Sequence, residues 1–137
     1  MPPETADTSK LLIPDAKAID TLISKVAREE ILSRYQSLQD HEISGKQSGE
    51  IVTEADLQSE RRLSRELRAL LPGSAVIGEE AYEADPEIIS RFKEEAPVWV
   101  LDPLDGTRNY SEGKPCFCVI VALVAQQVTQ AGWIFDP

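Results

Sequence analysis

Two stretches of the chain carry apolar residues at the spacing of an α-helix. The first opens at Pro14 and Asp15 and runs to about Tyr35, with apolar positions at Ile19, Leu22, Ile23, Val26, Ile31 and Leu32. The second opens at Thr53 and ends before Pro72, with apolar positions at Ala55, Leu63, Leu67 and Leu70. Residues that recur every three or four positions share one face of a helix. Both stretches are therefore predicted to be amphipathic helices.

Shorter apolar runs predict the strands of a sheet, and they cover residues 51–53, 74–77, 98–101, 117–125 and 128–135. The run at 117–125 is continuous and is predicted to be buried on both faces, with a turn at Gln126 and Gln127 leading to an antiparallel partner. A short helix is expected from Asp85 to Glu95. The polar segment 41–49 contains two glycines and is interpreted as a loop.

Together these elements predict an α/β layered fold of the α+β type, in which two long helices pack on a mainly antiparallel sheet. A length of 137 residues suits one domain, so residues 1–137 are expected to form a single domain. Residues 1–9 are small, polar and acidic, and they are expected to be disordered.

The chain is strongly acidic, with 14 Lys and Arg against 24 Asp and Glu. This balance disfavours nucleic acids and anionic membrane surfaces as partners. It would also repel a phosphate ester unless bound cations reversed the local charge. The start of the chain lacks a basic region followed by an apolar core, and no apolar run is long enough to cross a bilayer. A cytoplasmic protein is therefore expected.

Two groups of polar side chains receive structural interpretations. Cys116 and Cys118 lie two apart in a strand-like run, which suits neither a disulfide nor a Cys-x-x-Cys metal site, so both are expected to be buried free thiols. The arginines of the second helix spread over its surface and are expected to be solvated, with Glu60 and Glu66 as ion-pair partners. These arginines are Arg61, Arg62, Arg65 and Arg68.

The apolar run at 98–101 is followed by two carboxylates, Asp102 and Asp105, with Pro103 between them and Gly106 after them. Ligands of α/β proteins gather at the carboxyl ends of strands. Two like charges in so small a turn repel each other, and a divalent cation with oxygen ligands such as Mg²⁺ neutralises them. The segment is therefore interpreted as a metal site. The alternative is a surface turn whose Asp and Asn residues cap a following helix.

Three motifs together resemble the inositol monophosphatase family of metal-dependent, lithium-sensitive sugar phosphatases. They are Val52-Thr53-x-Ala55-Asp56, Gly78-Glu79-Glu80, and Asp102-Pro103-Leu104-Asp105-Gly106-Thr107-x-Asn109. Their order and approximate spacing match the family. The resemblance implies the amino-terminal half of a sugar-phosphatase fold and a magnesium-dependent phosphomonoesterase. Such an enzyme hydrolyses a small phosphate monoester, an inositol phosphate or a related one, with water activated by two or more Mg²⁺ ions.

The resemblance also implies a set of metal ligands. Glu79, Asp102 and the carbonyl of Leu104 would hold one Mg²⁺ ion, and Asp102 would bridge to a second ion held by Asp105. Glu79 therefore counts among the catalytic residues as well as the ligands. Carboxylate and carbonyl oxygens are hard ligands that suit Mg²⁺, and no Cys or His is placed to favour zinc.

Further implied roles concern water and phosphate. In the family a threonine hydroxyl and a distant carboxylate orient the attacking water, and Thr107 and Asp56 occupy those positions. The alternative for Asp56 is an N-cap of the second helix. The backbone N–H groups of Gly106 and Thr107 would bind the phosphate at a helix N-terminus. Two further roles are left open. Glu80 would orient the metal ligands, and Lys46 would lie near the phosphate.

Members of the family are longer, and their second half carries a Trp-Asp-x-Ala-Ala-Gly-type motif that this chain lacks. Its aspartate completes the second metal site, and its neighbours bind the sugar hydroxyls. The chain is therefore expected to be an amino-terminal portion with impaired activity, an exposed sheet edge and an uncovered apolar face. A homodimer is left open as a partner beside the small phosphate monoester.

Two other functions are kept as alternatives. The first is a non-catalytic, truncated module that binds cations or associates with a partner through the uncovered sheet face. The second is a haloacid dehalogenase-like phosphatase, whose Asp-x-Asp-Gly-Thr motif carries a nucleophilic aspartate. In this chain the two acids are one residue further apart and the motif comes late, so the second alternative ranks low.

Overall fold

A computed structural model describes residues 13–137 of the protein. The disordered segment predicted for residues 1–9 lies outside this range. The helices of the described part are α1 (Ala16–Val26), α2 (Glu54–Leu70), α3 (Glu79–Ala84) and α4 (Thr107–Ser111). The strands are β1 (Ile43–Gly45), β2 (Ile51–Thr53), β3 (Ala75–Gly78), β4 (Val98–Asp105), β5 (Cys118–Ala125) and β6 (Val128–Phe135). Three 3₁₀ segments cover Leu32–Arg34, Asp40–Glu42 and Pro86–Lys93.

The first predicted helix is present, but its last turns are not α-helical. Asp15 caps α1, because its carboxylate accepts a hydrogen bond from a backbone N–H of the first turn at 3.1 Å. A π-helical turn, Ala27–Ile31, and a 3₁₀ turn, Leu32–Arg34, continue α1. The buried Tyr110 hydroxyl donates a hydrogen bond to the Ile31 carbonyl at 2.6 Å. This bond ties the widened end of the first helix to the segment that follows β4.

The main sheet has the strand order β3-β4-β5-β6, and β1 and β2 form a separate two-stranded hairpin. β3 and β4 are parallel, whereas the β4–β5 and β5–β6 pairs are antiparallel. The turn between β5 and β6 consists of Gln126 and Gln127, which have φ angles of 52° and 66°. Two positive φ angles are typical of a tight hairpin turn. The mainly antiparallel sheet predicted from the sequence is confirmed.

The two long helices pack on one face of this sheet, and the hydrophobic core lies between the helices and the sheet. α1 contributes Ile19 and Ile23, and α2 contributes Leu63 and Leu67, all at most 1% exposed. The sheet contributes Val76, Trp99, Leu101, Val119, Val121 and Leu123. The predicted α/β layered fold is therefore confirmed.

The opposite face of β5 is less well covered than its core face. Residues that alternate with the core positions are only half-buried, namely Cys118, Ile120, Ala122 and Val124. On the edge strand β6, Ile134 is 76% exposed and Val128 is 60% exposed. The prediction that residues 117–125 are buried on both faces is therefore wrong, because alternate residues of β5 point away from the two long helices.

Part of segment 41–49 forms a hairpin, so the prediction that the whole segment is a loop needs correction. β1 pairs antiparallel with β2, and Ile43 lies opposite Thr53. The run Ile43-Ser44-Gly45 contains a single apolar residue, so its pattern is too short to indicate a strand. The pairing with β2 stabilises this extended segment.

Two predictions about polar side chains also need correction. Cys116 is exposed and Cys118 is half-buried, so these free thiols are not core residues. Arg62 is only partly exposed, and its guanidinium contacts the carboxylates of Glu29 at 2.8 Å and Glu30 at 2.9 Å. These ion pairs join α2 to the π-helical turn after α1.

No helix within residues 13–137 combines the length and the apolar character needed to cross a bilayer. The cytoplasmic location expected from the sequence stays a prediction.

Candidate active site

A cleft of about 290 Å³ lies where β3 and β4 end. Seven of the residues named in the sequence analysis line it: Lys46, Glu79, Asp102, Leu104, Asp105, Gly106 and Thr107. Asp56 is fully buried behind Thr107, to which it is hydrogen-bonded. The fold thus brings the three sequence motifs together at one place.

Glu79 and Asp102 meet because β3 and β4 are parallel neighbours. The register of these strands pairs Gly78 with Leu101. The next residue along each strand, Glu79 or Asp102, therefore emerges at the same edge of the sheet, where ligands of α/β proteins bind.

A bulge in β4 separates Asp102 from Asp105. Asp102 lies opposite Ile120 and Asp105 lies opposite Cys118, so β4 has one more residue than β5 between these two pairs. Bulges tolerate proline and re-aim side chains. Pro103 lies in this irregular part of the strand. The two aspartates are therefore part of the strand itself, and the expectation that they lie in a turn after it is corrected.

The acids of the cleft raise one another's pKa values. Burial, followed by the charges of Asp102 and Glu80, raises the pKa of Glu79 to about 8. Burial, followed by the charge of Asp105, raises the pKa of Asp102 to about 6. Negative charge is thus costly in this cleft, and a cation bound there would relieve the cost.

One carboxylate oxygen of the cleft has no hydrogen-bond partner among residues 13–137. It is the buried Oδ1 atom of Asp102. An unpartnered buried oxygen is costly, and a bound ion is one way to satisfy it. The nearby donors are the carboxylates of Glu79 and Asp105 and the carbonyl of Leu104, all of which are the hard oxygen ligands that Mg²⁺ takes. The residues present therefore fit an Mg²⁺ ion.

Asp56 connects the start of α2 to Thr107. Its Oδ2 atom accepts hydrogen bonds from the Thr53 N–H at 2.8 Å and from the Thr53 hydroxyl at 2.6 Å. Its Oδ1 atom accepts a hydrogen bond from the Thr107 hydroxyl at 2.9 Å. Thr53 is the N-cap of α2, and Asp56 completes a reciprocal capping box three residues later. Capping and contact with Thr107 use different oxygens, so the two interpretations of Asp56 do not exclude each other.

The Thr107 hydroxyl has two acceptors within reach. The Asp56 Oδ1 atom and the Leu104 carbonyl oxygen each lie 2.9 Å from it. A hydroxyl carries a single proton, so it donates fully to one acceptor at a time. If another group binds the Leu104 carbonyl oxygen, the Thr107 hydroxyl donates its hydrogen bond to Asp56.

Glu80 and Lys46, whose roles the sequence left open, form an ion pair beside the cleft. The Lys46 Nζ atom lies 3.1 Å from Glu80 Oε2, and the two side chains are 8% and 9% exposed. Burial lowers the pKa of Lys46, but the contact with Glu80 and the charges of Glu79 and Glu83 together outweigh this effect, so the net shift is upward. The β1–β2 hairpin places Lys46 there, so this contact could not be predicted while the segment was interpreted as a loop.

A trio of acids forms next to the predicted ligands. The trio consists of Asp56, Glu79 and Glu80, which each place a carboxylate oxygen within 4.8 Å of the other two. No other group of three acids in the described part of the chain is this close. Glu79 belongs both to this trio and to the predicted set with Asp102. Asp56 and Glu80 are thus closer neighbours of the candidate ligands than the sequence indicated.

Gly106 is the N-cap residue of α4, and only glycine suits this position. Its φ is +94°, and a Cβ atom there would lie 2.7 Å from the Cys116 carbonyl oxygen. This close approach brings the first residues of α4, with their free N–H groups, to the wall of the cleft.

Arg108 is a cleft residue that the sequence reasoning did not single out. It lines the same cavity as Thr107, together with Glu50 and Ile51 from the hairpin. Its signal was its position inside the signature around Gly106, where it occupies the unspecified place before Asn109.

Comparison with known proteins gives a consistent result. Residues 15–137 match the inositol monophosphatase family. An inositol-1-monophosphatase of Synechocystis sp. is 31% identical over 111 residues, which cover 81% of this chain and 36% of that protein. The IMPase of Thermotoga maritima has a TM-score of 0.70 at 25% identity, and the match covers 88% of this chain and 44% of that chain.

A third protein of similar fold is an IMPase/NADP phosphatase complexed with Mg²⁺ and phosphate. Its TM-score is 0.65 at 21% identity, and the match covers 88% of this chain and 44% of that chain. The chain thus spans less than half the length of each of these three proteins.

The matched range of residues 15–137 contains all three motifs, and the fold places the residues of these motifs around one acidic cleft. The haloacid dehalogenase-like alternative has no support from this match. The chain belongs to the inositol monophosphatase family.

Proposed function

We propose that this chain supplies the magnesium-binding part of a phosphomonoesterase that hydrolyses a small phosphate monoester, such as an inositol phosphate. The observation that carries the proposal is the buried, unpartnered Asp102 Oδ1 in a cleft that also contains Glu79 and Asp105. Family membership supports a phosphatase. The Mg²⁺ and phosphate in the IMPase/NADP phosphatase support the choice of metal and of substrate class.

The ligands would be divided between two ions. Glu79, Asp102 and the Leu104 carbonyl would hold one Mg²⁺, and Asp102 with Asp105 would hold a second. Bound Mg²⁺ supplies positive charge that attracts a phosphate ester to an acidic protein and makes a water molecule easier to deprotonate.

Thr107 and Asp56 would orient the attacking water. The Thr107 hydroxyl donates a hydrogen bond to Asp56. The Thr107 oxygen can therefore accept a hydrogen bond from a water molecule in the cleft. Burial raises the pKa of Asp56, although hydrogen bonds from Thr53 and Thr107 partly oppose this shift. A carboxylate with a raised pKa accepts a proton more readily. Asp56 is therefore suited to draw a proton from the water through Thr107.

The phosphate would lie against the start of α4. The N–H groups of Gly106 and Thr107 are free of helical partners and can donate hydrogen bonds to phosphate oxygens. Arg108 lines the same cleft and adds a guanidinium, which pairs well with a phosphate. These donors would compensate the charge of a monoester that the acidic protein otherwise repels.

A non-catalytic module that binds cations is the competing function, and it would use the same acids. The exposed apolar side chains of Ile134 and Val128 on the edge strand favour association with a partner in that case. The two functions differ in whether phosphate is released.

The test is an assay of phosphate release from a panel of sugar and nucleotide phosphates, with and without Mg²⁺. We expect hydrolysis of at least one ester that depends on Mg²⁺ and is abolished by Asp102→Asn. Asp20→Asn makes the same chemical change at an exposed position of α1 and should leave the rate unchanged. Release that never exceeds the Mg²⁺ control without protein would contradict the enzyme and favour the module.

A further inference from the structure

Glu60 is a buried carboxylate that the proposed reaction does not use. It lies on α2, four residues after Asp56, and it is 7% exposed. The sequence predicted ion pairs between Glu60 and the arginines of this helix. Instead its carboxylate accepts hydrogen bonds from the backbone N–H groups of Glu80 and Ala81, each at 2.8 Å.

These two N–H groups belong to the first turn of α3, the helix that begins with Glu79. The first N–H groups of a helix have no partner inside the helix, and a side chain at the N-cap position usually accepts their hydrogen bonds. The N-cap residue of α3 is Gly78, which has no side chain. Glu60 therefore supplies from α2 the capping oxygens that the neighbouring sequence lacks, with one oxygen for each N–H.

Gly78 and Glu60 are matched in shape. A Cβ atom added at Gly78 would overlap the Glu60 carboxyl carbon, and it would lie 2.7 Å from Oε1. The missing side chain at position 78 is thus what lets the carboxylate reach the start of α3.

We propose that Glu60 is a positioning residue for the metal-binding acids, because by holding the first turn of α3 it fixes Glu79 relative to Asp102. This inference rests on the proposed function, since it assigns Glu60 a part in the same metal site. Asp56 and Glu60, both on α2, then each position a different part of the site. Asp56 holds Thr107, which follows β4, and Glu60 holds Glu79, which follows β3.

The charge of Glu60 supports a positioning role over a packing role. Burial and the charge of Glu80 both raise the pKa of Glu60, so a charged carboxylate is costly at this position. A neutral side chain of the same size would fill the space without this cost. What an ionised carboxylate adds is two strong acceptors for the two N–H groups.

The test compares Mg²⁺ affinity in variants of the 137-residue chain by titration calorimetry. Glu60→Gln keeps the size of the side chain but can accept only one of the two N–H groups, since its amide nitrogen is a donor. We expect Mg²⁺ to bind roughly tenfold more weakly to this variant, the usual cost of losing a group that orients a metal ligand. Glu66→Gln removes the same charge from the same helix away from the cleft and should bind Mg²⁺ as the wild type does.

The free energy of urea unfolding with and without Mg²⁺ separates positioning from stability. A purely structural Glu60 would lower both values equally and leave Mg²⁺ affinity unchanged, and this result would overturn the inference. If Glu60→Gln does not fold, Glu60→Asp decides, because it keeps the charge and draws the carboxylate back by one methylene. Unchanged Mg²⁺ affinity in Glu60→Asp would then overturn the inference, and weaker binding would support it. Absence of Mg²⁺ binding by the wild type would contradict the proposed function itself.

Discussion

The Thr107 hydroxyl donates a hydrogen bond to Asp56 Oδ1 at 2.9 Å, which joins two residues 51 positions apart in the chain. Asp56 is fully buried, and its second oxygen accepts two hydrogen bonds from Thr53. The start of α2 and the start of α4 are therefore held together by one carboxylate. This connection holds Thr107 at the wall of the cleft.

Replacing Thr107 by valine tests this connection. Thr107→Val keeps the shape of the side chain but leaves Asp56 Oδ1 without a donor in a buried place. Leaving a buried polar group unsatisfied costs about 1–3 kcal/mol, so the free energy of unfolding in urea should fall by that amount. Thr107→Ser keeps the hydroxyl and serves as the control. Equal stability of the valine variant and the wild type would show that the hydrogen bond contributes nothing.

Tyr110 offers a second test of packing around the site. Its hydroxyl donates to the Ile31 carbonyl at the end of the π-helical turn. Tyr110→Phe leaves that buried carbonyl without this donor and should lower the free energy of unfolding by about 1–3 kcal/mol. Tyr82→Phe makes the same change at a residue that is 43% exposed, and we expect it to be neutral. A loss of the same size in both variants would contradict this account.

Gly78→Ala should destabilise the protein, because the new Cβ would displace the Glu60 carboxylate from the start of α3. Overpacking of this kind costs about 1–3 kcal/mol. Gly45→Ala is the matched control, since a Cβ there meets nothing within 4 Å. Thermal unfolding of both variants gives the comparison, and the account is wrong if they melt at the same temperature.

The raised pKa values of the cleft acids predict how the free energy of unfolding of the metal-free protein depends on pH. Glu79 has a pKa of about 8 against an ordinary value of 4.5, and Asp102 has a pKa of about 6 against 3.8. At a pH between the ordinary pKa and the raised pKa of either group, the folded state binds more protons than the unfolded state. These two groups therefore make the free energy of unfolding fall as pH rises.

Urea unfolding in EDTA at about pH 5 and about pH 8 measures this effect, and Glu79→Gln should reduce the difference between the two. Added Mg²⁺ should stabilise the protein more at the higher pH, because metal ligands must be deprotonated. A dependence on pH that Glu79→Gln leaves unchanged would show that Glu79 is not its source.

The convergence of the acids could be predicted from the sequence because it depends on strand ends. Glu79 and Asp102 each follow an apolar run, and once those runs are parallel neighbours the two side chains must meet. The bulge in β4 could not be predicted, because Pro103 is as compatible with a turn as with an irregular strand. The apolar pattern places residues on a face of the sheet but does not report an extra residue in one strand.

Long-range contacts of polar side chains were also missed. Glu60 lies close in sequence to arginines that could pair with it, whereas its actual partners are backbone groups 20 and 21 residues away. Likewise, Lys46 and Glu80 meet across 34 residues because a hairpin forms that the polar segment 41–49 did not indicate. Such contacts depend on the final packing of α2 and the hairpin, which the periodicity of apolar residues does not specify.

The central claim is that the acids of the cleft bind Mg²⁺, and calorimetric titration of the metal-free chain tests it most directly. Asp102→Asn removes a charge at the oxygen that has no partner, and Asp20→Asn makes the same change on the exposed side of α1. We expect the wild type and Asp20→Asn to bind Mg²⁺, and Asp102→Asn to bind it roughly tenfold more weakly or worse. No binding by the wild type, or equal binding by Asp102→Asn, would contradict it.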